Sequence, residues 1–248
     1  MKILITGVAG FIGSNLADYL LKKGHKIIGI DDLSYGLLEQ VPSGVEFHKL
    51  SILNNEMYPL FNNVEVVFHL AAKNCIADCQ LDPVETARIN VCGTVNAFEA
   101  GKQAGVKKII YAESSAVYEG SSVFPTSEED EKPESFYAVS KMASKLFADA
   151  YIRFSELNLI ALRYFNVYGP RQDYRRSIPP LMCSLIMQLL KGEQPVIFGN
   201  GEKRRDFVYV DDVNRFHELL ITNPNINNNT FNIGYGKNYS VLEVFKVI

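Results

Sequence analysis

The chain opens Met1-Lys2-Ile3-Leu4-Ile5-Thr6-Gly7-Val8-Ala9-Gly10-Phe11-Ile12-Gly13-Ser14. Its aliphatic run, Ile3-Leu4-Ile5, lacks polar alternation and reads as a strand covered on both faces. Glycines spaced G-x-x-G-x-x-G interrupt it, and a helical pattern then extends to about Lys23, with Gly24 as its stop. In that order, strand, glycine turn and helix permit a tight turn, a close approach of backbone to a pyrophosphate, and unpaired helix N–H groups aimed at the anion. The next strand ends on Asp31, 24 residues after Gly7. A carboxylate there can accept hydrogen bonds from an adenosine ribose and repel a 2′-phosphate. The expectation is a dinucleotide site, for NAD rather than NADP.

Working outward, Lys2–Thr6, Lys26–Asp31, Val45–Leu50, Val64–Ala71, Val106–Ala112 and Asn158–Tyr164 read as strands separated mostly by amphipathic stretches. Such alternation implies βαβ units. The fold class is therefore α/β, a doubly wound parallel sheet of the Rossmann type. After about Asn166 turn signals dominate: Gly169-Pro170, Pro179-Pro180, Gly199-Asn200-Gly201 and the Asn-rich run 223–229. This divides the chain into a dinucleotide-binding unit, 1–165, and a smaller lobe over the sheet's carboxyl edge, 166–248, with 206–222 returning to the first unit. A helix is expected from Ser177 to Lys191, stopped by Gly192, with Met182, Leu185, Ile186 and Leu189 as its packing face.

With 248 residues and 47% hydrophobic content the chain can bury a sizeable core. The 25 basic and 28 acidic side chains leave a net charge of −3. No global field attracts nucleic acid or an anionic membrane, so any phosphate must be held locally. The apolar run before Gly7 is too short for a secretory signal, and no later stretch approaches a membrane span. A soluble, cytoplasmic protein is expected. Cys75, Cys79, Cys92 and Cys183 form no C-x-x-C pair and have no histidine cluster, so they read as free thiols with no metal.

Tyr137-Ala138-Val139-Ser140-Lys141 opens another helical stretch, which places Tyr137 and Lys141 on one face at i,i+4. A phenol is a weak base near neutrality, and a neighbouring ammonium favours its phenolate. Ser114 stands near the carboxyl end of the fifth strand, where open sheets of this kind place their sites. Its hydroxyl can polarise a reacting oxygen.

Those motifs, together with His69-Leu70-Ala71-Ala72, Asn90-Val91-Cys92-Gly93-Thr94, the run 162–171 (LRYFNVYGPR) and the run 205–213 (RDFVYVDDV), make the chain resemble the extended short-chain dehydrogenase/reductase family of NAD-dependent sugar epimerases and dehydratases. The resemblance covers essentially the whole chain. It implies Ser114, Tyr137 and Lys141 as the catalytic set, with Tyr137 as base and Lys141 also on the nicotinamide ribose. It further implies Gly7, Gly10, Phe11, Ile12, Gly13, Asp31, Asp32, Leu70, Ala71, Ala72 and Asn90 around NAD. Ser114, Ser115, Asn166 and Arg205 would hold a nucleotide-diphosphate sugar, UDP-linked by preference. A homodimer is implied through the helix after Asn90 and the helix carrying Tyr137.

Dehydratases resembling this chain carry an acidic pair after the serine, where this sequence has Ser115 and Ala116. Elimination of water needs such groups. What remains is oxidation and re-reduction at one carbon, C4 epimerisation through a 4-keto sugar. The alternatives are another nucleotide-sugar oxidoreductase, a C5-type epimerase or decarboxylase, and a non-catalytic NAD-binding regulator. Four features depart from the family pattern: Ser51 where an Asp usually meets the adenine, Glu113 before the serine, Glu119 in place of a glycine, and a chain shorter than usual, which implies a truncated substrate lobe. Glu113 and Glu119 read as neutral loop-edge changes, and Ser127–Glu131 as a solvated acidic loop.

Overall fold

The computed structural model describes residues 1–176, 178–197 and 199–248. Strand β1 (Lys2–Thr6) leads through the glycine turn into α1 (Phe11–Lys22), followed by β2 (Lys26–Asp31), β3 (Val45–Lys49) and β4 (Val66–His69). Two short helices, α2 (Ile76–Leu81) and α3 (Pro83–Ala87), run through a π-helical turn, Arg88–Cys92, into α4 (Gly93–Gln103). Then come β5 (Lys108–Ser114), α5 (Phe136–Phe154), β6 (Leu159–Tyr164), β7 (Asn166–Tyr168), α6 (Leu181–Leu190) and β8 (Arg204–Tyr209). The chain closes with α7 (Val210–Thr222), β9 (Asn229–Ile233), β10 (Asn238–Ser240) and α8 (Val241–Val247).

Seven strands form one sheet in the order β3-β2-β1-β4-β5-β6-β9, every pairing parallel. The doubly wound α/β architecture expected from the sequence is present. The order reverses between β1 and β4, so a crevice opens at their carboxyl ends. A second sheet, β10-β8-β7, stands beside it.

Apolar strand residues feed a core on each face. On one side Ile3, Ile5 and Phe68 pack with Leu16, Leu20, Val213 and Leu220 of α1 and α7. On the other Leu4, Val67 and Tyr111 pack with Ala97, Phe98 and Ala148 of α4 and α5. Helix α1 ends as its sequence suggests: Gly24 takes φ +81°, its N–H donates to Leu21 O at 2.9 Å, and His25 N donates to Leu20 O at 3.2 Å.

Three expectations need correction. The fifth strand runs two residues further than Ala112, so Ser114 is its last residue. A seventh strand, β9, begins inside the Asn-rich run read as a turn; β6 is its only partner in the main sheet, and that parallel register, Ile160↔Asn229 to Tyr164↔Ile233, makes it a strand despite its composition. Helix α6 starts at Leu181, after Pro180 in an extended conformation, and the expected start at Ser177 lies outside the described residues. On α6 Leu185 is buried, whereas Ile186 and Leu189 are 42% and 41% exposed, so its apolar face is only partly packed.

Among the described residues no helix is long and apolar enough to cross a membrane. Phe68 is fully buried while Phe154 is 82% exposed. Phe68→Ala is therefore expected to cost about 3–5 kcal/mol in urea unfolding, and Phe154→Ala about 0.5 kcal/mol or less. Equal losses would contradict this assignment of the core.

Candidate active site

The turn after β1 has no room for side chains. Gly7 takes φ +73°, and a Cβ on it would lie 2.7 Å from Ala71 N; a Cβ on Gly13 would lie 2.2 Å from Gly7 O. Helix α1 therefore packs directly on the end of β1, with no side chain capping its N-terminus. These N–H groups open onto a cavity of ≈ 610 Å3 walled by Gly7, Gly10, Phe11, Ile12 and Gly13. An uncapped helix start at a backbone cradle suits a pyrophosphate.

Asp31 and Asp32 line the same cavity. Asp31 is nearly buried, and its carboxylate accepts from Ala9 N at 3.0 Å and Leu33 N at 2.9 Å. Burial raises its pKa, opposed by those two N–H donors. Asp31 thus shapes the loop as well as facing the cavity, with lone pairs left for a ribose. Asp32 is exposed and binds Ser34 N at 2.9 Å. Leu70, Ala71, Ala72 and Ser51 complete this end of the wall.

Asn90 does not reach the cavity. It is fully buried at the π-helical turn, where Oδ1 accepts from Lys73 N at 2.8 Å and Nδ2 donates to Lys73 O and Ser140 Oγ, both at 2.9 Å. Ser140 Oγ donates to Tyr137 O at 2.7 Å. Asn90 thus fastens the cavity wall to the start of α5. A chain of hydroxyls extends it: Thr94 donates to Asn90 O at 2.6 Å, His69 Nε2 meets Thr94 at 3.0 Å, and His69 Nδ1 meets Thr6 at 2.8 Å. Since Thr94 spends its proton on Asn90, His69 carries its proton on Nε2. Burial pushes the His69 pKa down to about 3, so it stays neutral.

The three catalytic candidates converge on this cavity. Ser114, Tyr137 and Lys141 all line it. Helix α5 is set by Ser135, whose Oγ accepts from Ala138 N at 3.1 Å. Glu119 in turn accepts from Ser135 N at 2.8 Å and from its Oγ at 3.0 Å. Glu119 therefore braces the start of the Tyr137 helix. Lys141 Nζ donates to Ala112 O at 2.9 Å and lies 5.9 Å from the Tyr137 ring centre. Burial lowers the Lys141 pKa to about 8, with Glu113 the chief opposing charge. Burial raises the Tyr137 pKa to about 12, and the Ser114 hydroxyl is the main group pulling it back. Desolvation is the largest influence on the phenol.

Ser115 falls outside the cavity wall, in the 3-10 turn Ser115–Tyr118 that follows Ser114. Glu113 is not at a loop edge. It is buried, 2.7 Å from the fully buried Arg163. The acidic loop is anchored to the same cation: Glu131 pairs with Arg163, and Glu128 O accepts from Arg163 Nη1 at 2.6 Å.

Across the cavity stand Asn166 and Arg205. Asn166 Nδ2 donates to Asp206 O at 2.9 Å, while the exposed Arg205 binds only Arg204 O, at 2.8 Å, among the described residues. Sequence reasoning missed Arg171, Gln172, Arg175, Arg176 and Lys203 on this wall. Arg171 pairs with Asp18 of α1 at 2.9 Å and donates to Ser14 O at 2.8 Å, tying the lobe to the glycine helix. Its place after Gly169-Pro170 was the one available signal. All four cysteines are unpaired. Among the described residues no group of three metal-ligating side chains occurs.

A family model described as the NAD dependent epimerase/dehydratase family matches residues 3–234. The chain belongs to this family. NAD is its cofactor, and the glycine cradle, uncapped α1 and Asp31 fit it. The UDP-glucose 4-epimerase of Mycolicibacterium smegmatis is 37% identical over 258 aligned residues, covering 100% of this chain and 82% of that protein. The structure of Thermotoga maritima UDP-glucose 4-epimerase with UDP-glucose superimposes with a TM-score of 0.95 at 38% identity, covering 100% of this chain and 81% of that one. The Thermus thermophilus UDP-glucose 4-epimerase complex with NAD gives 0.89 at 32% identity, covering 99% and 81%.

Asp31→Asn removes the negative charge while keeping one acceptor oxygen. It is expected to weaken NAD binding about 10-fold, the worth of a charge-assisted hydrogen bond, and to narrow the preference over NADP. Calorimetric titration with both dinucleotides checks this, and an unchanged ratio would remove Asp31 from cofactor selection.

Proposed function

We propose that the protein is a nucleotide-diphosphate-sugar epimerase acting at C4, with a UDP-linked sugar as substrate. The observation that carries this reading is the meeting of Ser114, Tyr137 and Lys141 on the cavity that the glycine turn opens, opposite Asn166 and Arg205. The names of the similar proteins point the same way. Residues 1–165, with α7 and β9 packed into the same layers, would hold the cofactor, and the rest of 166–248 the sugar nucleotide.

When bound, NAD supplies a hydride acceptor that can also return the hydride. Tyr137 Oη takes the proton of the sugar hydroxyl as its carbon is oxidised and gives it back on re-reduction. Lys141, fixed by Ala112 O, holds a positive charge beside the phenol and so favours the phenolate while the proton is on loan. Ser114 Oγ accepts from Ala116 N at 3.2 Å, which leaves its one proton to donate to the Tyr137 oxygen or to the reacting oxygen. Ser115 and Ala116 offer no acid or base for eliminating water, which disfavours a dehydratase.

Tyr137→Phe is expected to reduce interconversion of UDP-glucose and UDP-galactose, or of their N-acetyl forms, by about 10²–10⁴-fold while NAD binding persists. Proton NMR of the anomeric and C4 signals reads the products. Activity retained in the variant would remove Tyr137 as base, and no conversion of any sugar by the wild type would leave a non-catalytic NAD-binding role. Because Lys141 titrates near 8 from a value lowered by burial, it is charged below that pH and neutral above it. Activity is expected to fall as pH rises through about 8.

A homodimer is the expected assembly, through α4 and α5. Val139, Leu146 and Phe147 on α5 are 48%, 59% and 45% exposed, and Phe147 shares a groove with Val91, Val95 and Tyr151. Phe147→Asp is expected to yield monomers in light scattering, and an unchanged mass would place the interface elsewhere. Four unpaired thiols suit the cytoplasm.

A further inference from the structure

The end of β5 holds a buried ionic network that the proposed chemistry has not used. Arg163 on β6 is fully buried, and its Nε donates to Glu113 Oε2 at 2.7 Å. Its Nη1 donates to Tyr118 Oη at 2.7 Å and Glu128 O at 2.6 Å, and Nη2 binds Glu131. Glu113 Oε1 accepts from Tyr111 Oη at 3.1 Å. Glu131 reaches Lys145 of α5 at 3.7 Å, one turn beyond Lys141. Thus one guanidinium on β6 binds β5 and the acidic loop, and through Glu131 the loop reaches α5.

Glu113 lies between two residues already in the site. Lys141 donates to the carbonyl of Ala112, and Ser114 is the next residue. Strand alternation puts Glu113 on the same face as Tyr111, which packs with α5 residues Ala148 and Tyr151. Its carboxylate therefore stands on the α5 side of the sheet, inside low-dielectric surroundings where a fixed charge acts strongly.

We propose that Glu113 is a positioning residue for the Ser114, Tyr137 and Lys141 set: its carboxylate, clamped by Arg163 under the end of β5, is the fixed anion that holds Lys141 as the ammonium beside Tyr137. This rests on the epimerase reading for its catalytic meaning, though not for its electrostatics. Glu131 is spent on Arg163 and Lys145 and Glu119 on Ser135, and the remaining titratable neighbours supply no anion at neutral pH. Burial raises the Cys79 thiol on α2, lowers His69 on β4 to about 3, and raises Tyr137 on α5 to about 12, so all three are uncharged there. Lys73, the other charged group near Cys79, has the same sign as Lys141. Burial also raises Glu113, while the Arg163 charge and the bonds from Arg163 and Tyr111 hold it as a carboxylate.

The test is the titration of Lys141 in the full chain with NAD bound, read by NMR of 13Cε-lysine and assigned with Lys141→Met, beside the pH profile of kcat/KM. Glu113→Gln is expected to lower the Lys141 midpoint by about one pH unit and to move the alkaline limb of activity down with it, while Glu113→Asp restores most of both. Where the lone Arg163 prevents Glu113→Gln from folding, the double variant Glu113→Gln/Arg163→Met replaces the pair by neutral groups of similar size. It is expected to lower the midpoint by at least ~0.5 unit, because Glu113 is the chief charge that holds the proton on Lys141. A midpoint unchanged in the folded variant overturns the proposal. A midpoint that moves in a protein that epimerises nothing leaves the electrostatic inference standing and removes the epimerase reading instead.

Discussion

A helix packed against the end of a strand, with no side chain between them, is the constraint on which this molecule rests. Only glycine allows it at two points, Gly7 against Ala71 and Gly13 against Gly7, because any Cβ would enter occupied space. The contact brings the unpaired N–H groups of α1 to the carboxyl edge of β1, beside β4, where the strand order reverses. Everything that makes this edge a site follows from that arrangement. The cavity floor is backbone, the anion-binding field comes from the helix start, and Asp31 braces the rim through Ala9 and Leu33.

The end of the cavity at Tyr137 is held differently, by buried polar groups that are nearly all satisfied. Asn90 fastens the wall at Lys73 to Ser140, and the hydroxyl and imidazole chain through Thr94, His69 and Thr6 continues to β1. Arg163 performs the corresponding task on the far side, spending its donors on Glu113, Tyr118, Glu128 and Glu131. A half-satisfied network of this kind would be costly in an apolar core. Complete, it leaves Ser114, Tyr137 and Lys141 little freedom to leave the cavity. The desolvation that accompanies such burial also drives the opposed shifts of Tyr137 and Lys141.

Much of this was legible in the residues. Short β-branched and apolar runs alternating with helical patterns announced the first six strands of the parallel sheet, and the glycine spacing announced the turn. Tyr137 and Lys141 declared themselves through an i,i+4 spacing that any helix converts into a shared face. Less legible were features whose meaning depends on a distant partner. Asn229–Ile233 has a poor strand composition and becomes one because β6 offers an open edge. Glu113 looked like a loop-edge substitution until Arg163, 50 residues on, was seen to neutralise it. The bonds by which Asn90 holds the walls join residues far apart in the chain, and the lobe arginines reach the cavity through loops of no regular period.

Local chain chemistry by itself therefore determined the layer architecture, the dinucleotide turn, the acidic end of β2 and the Tyr-Lys helix. Each depends on residues within a few turns of one another, where spacing is geometry. Tertiary structure alone decided which charges are buried together, which polar side chains face the cavity and which fasten its walls. The reason is physical: a carboxylate in water and one pressed against a guanidinium have the same sequence letter, and only their burial gives them different work.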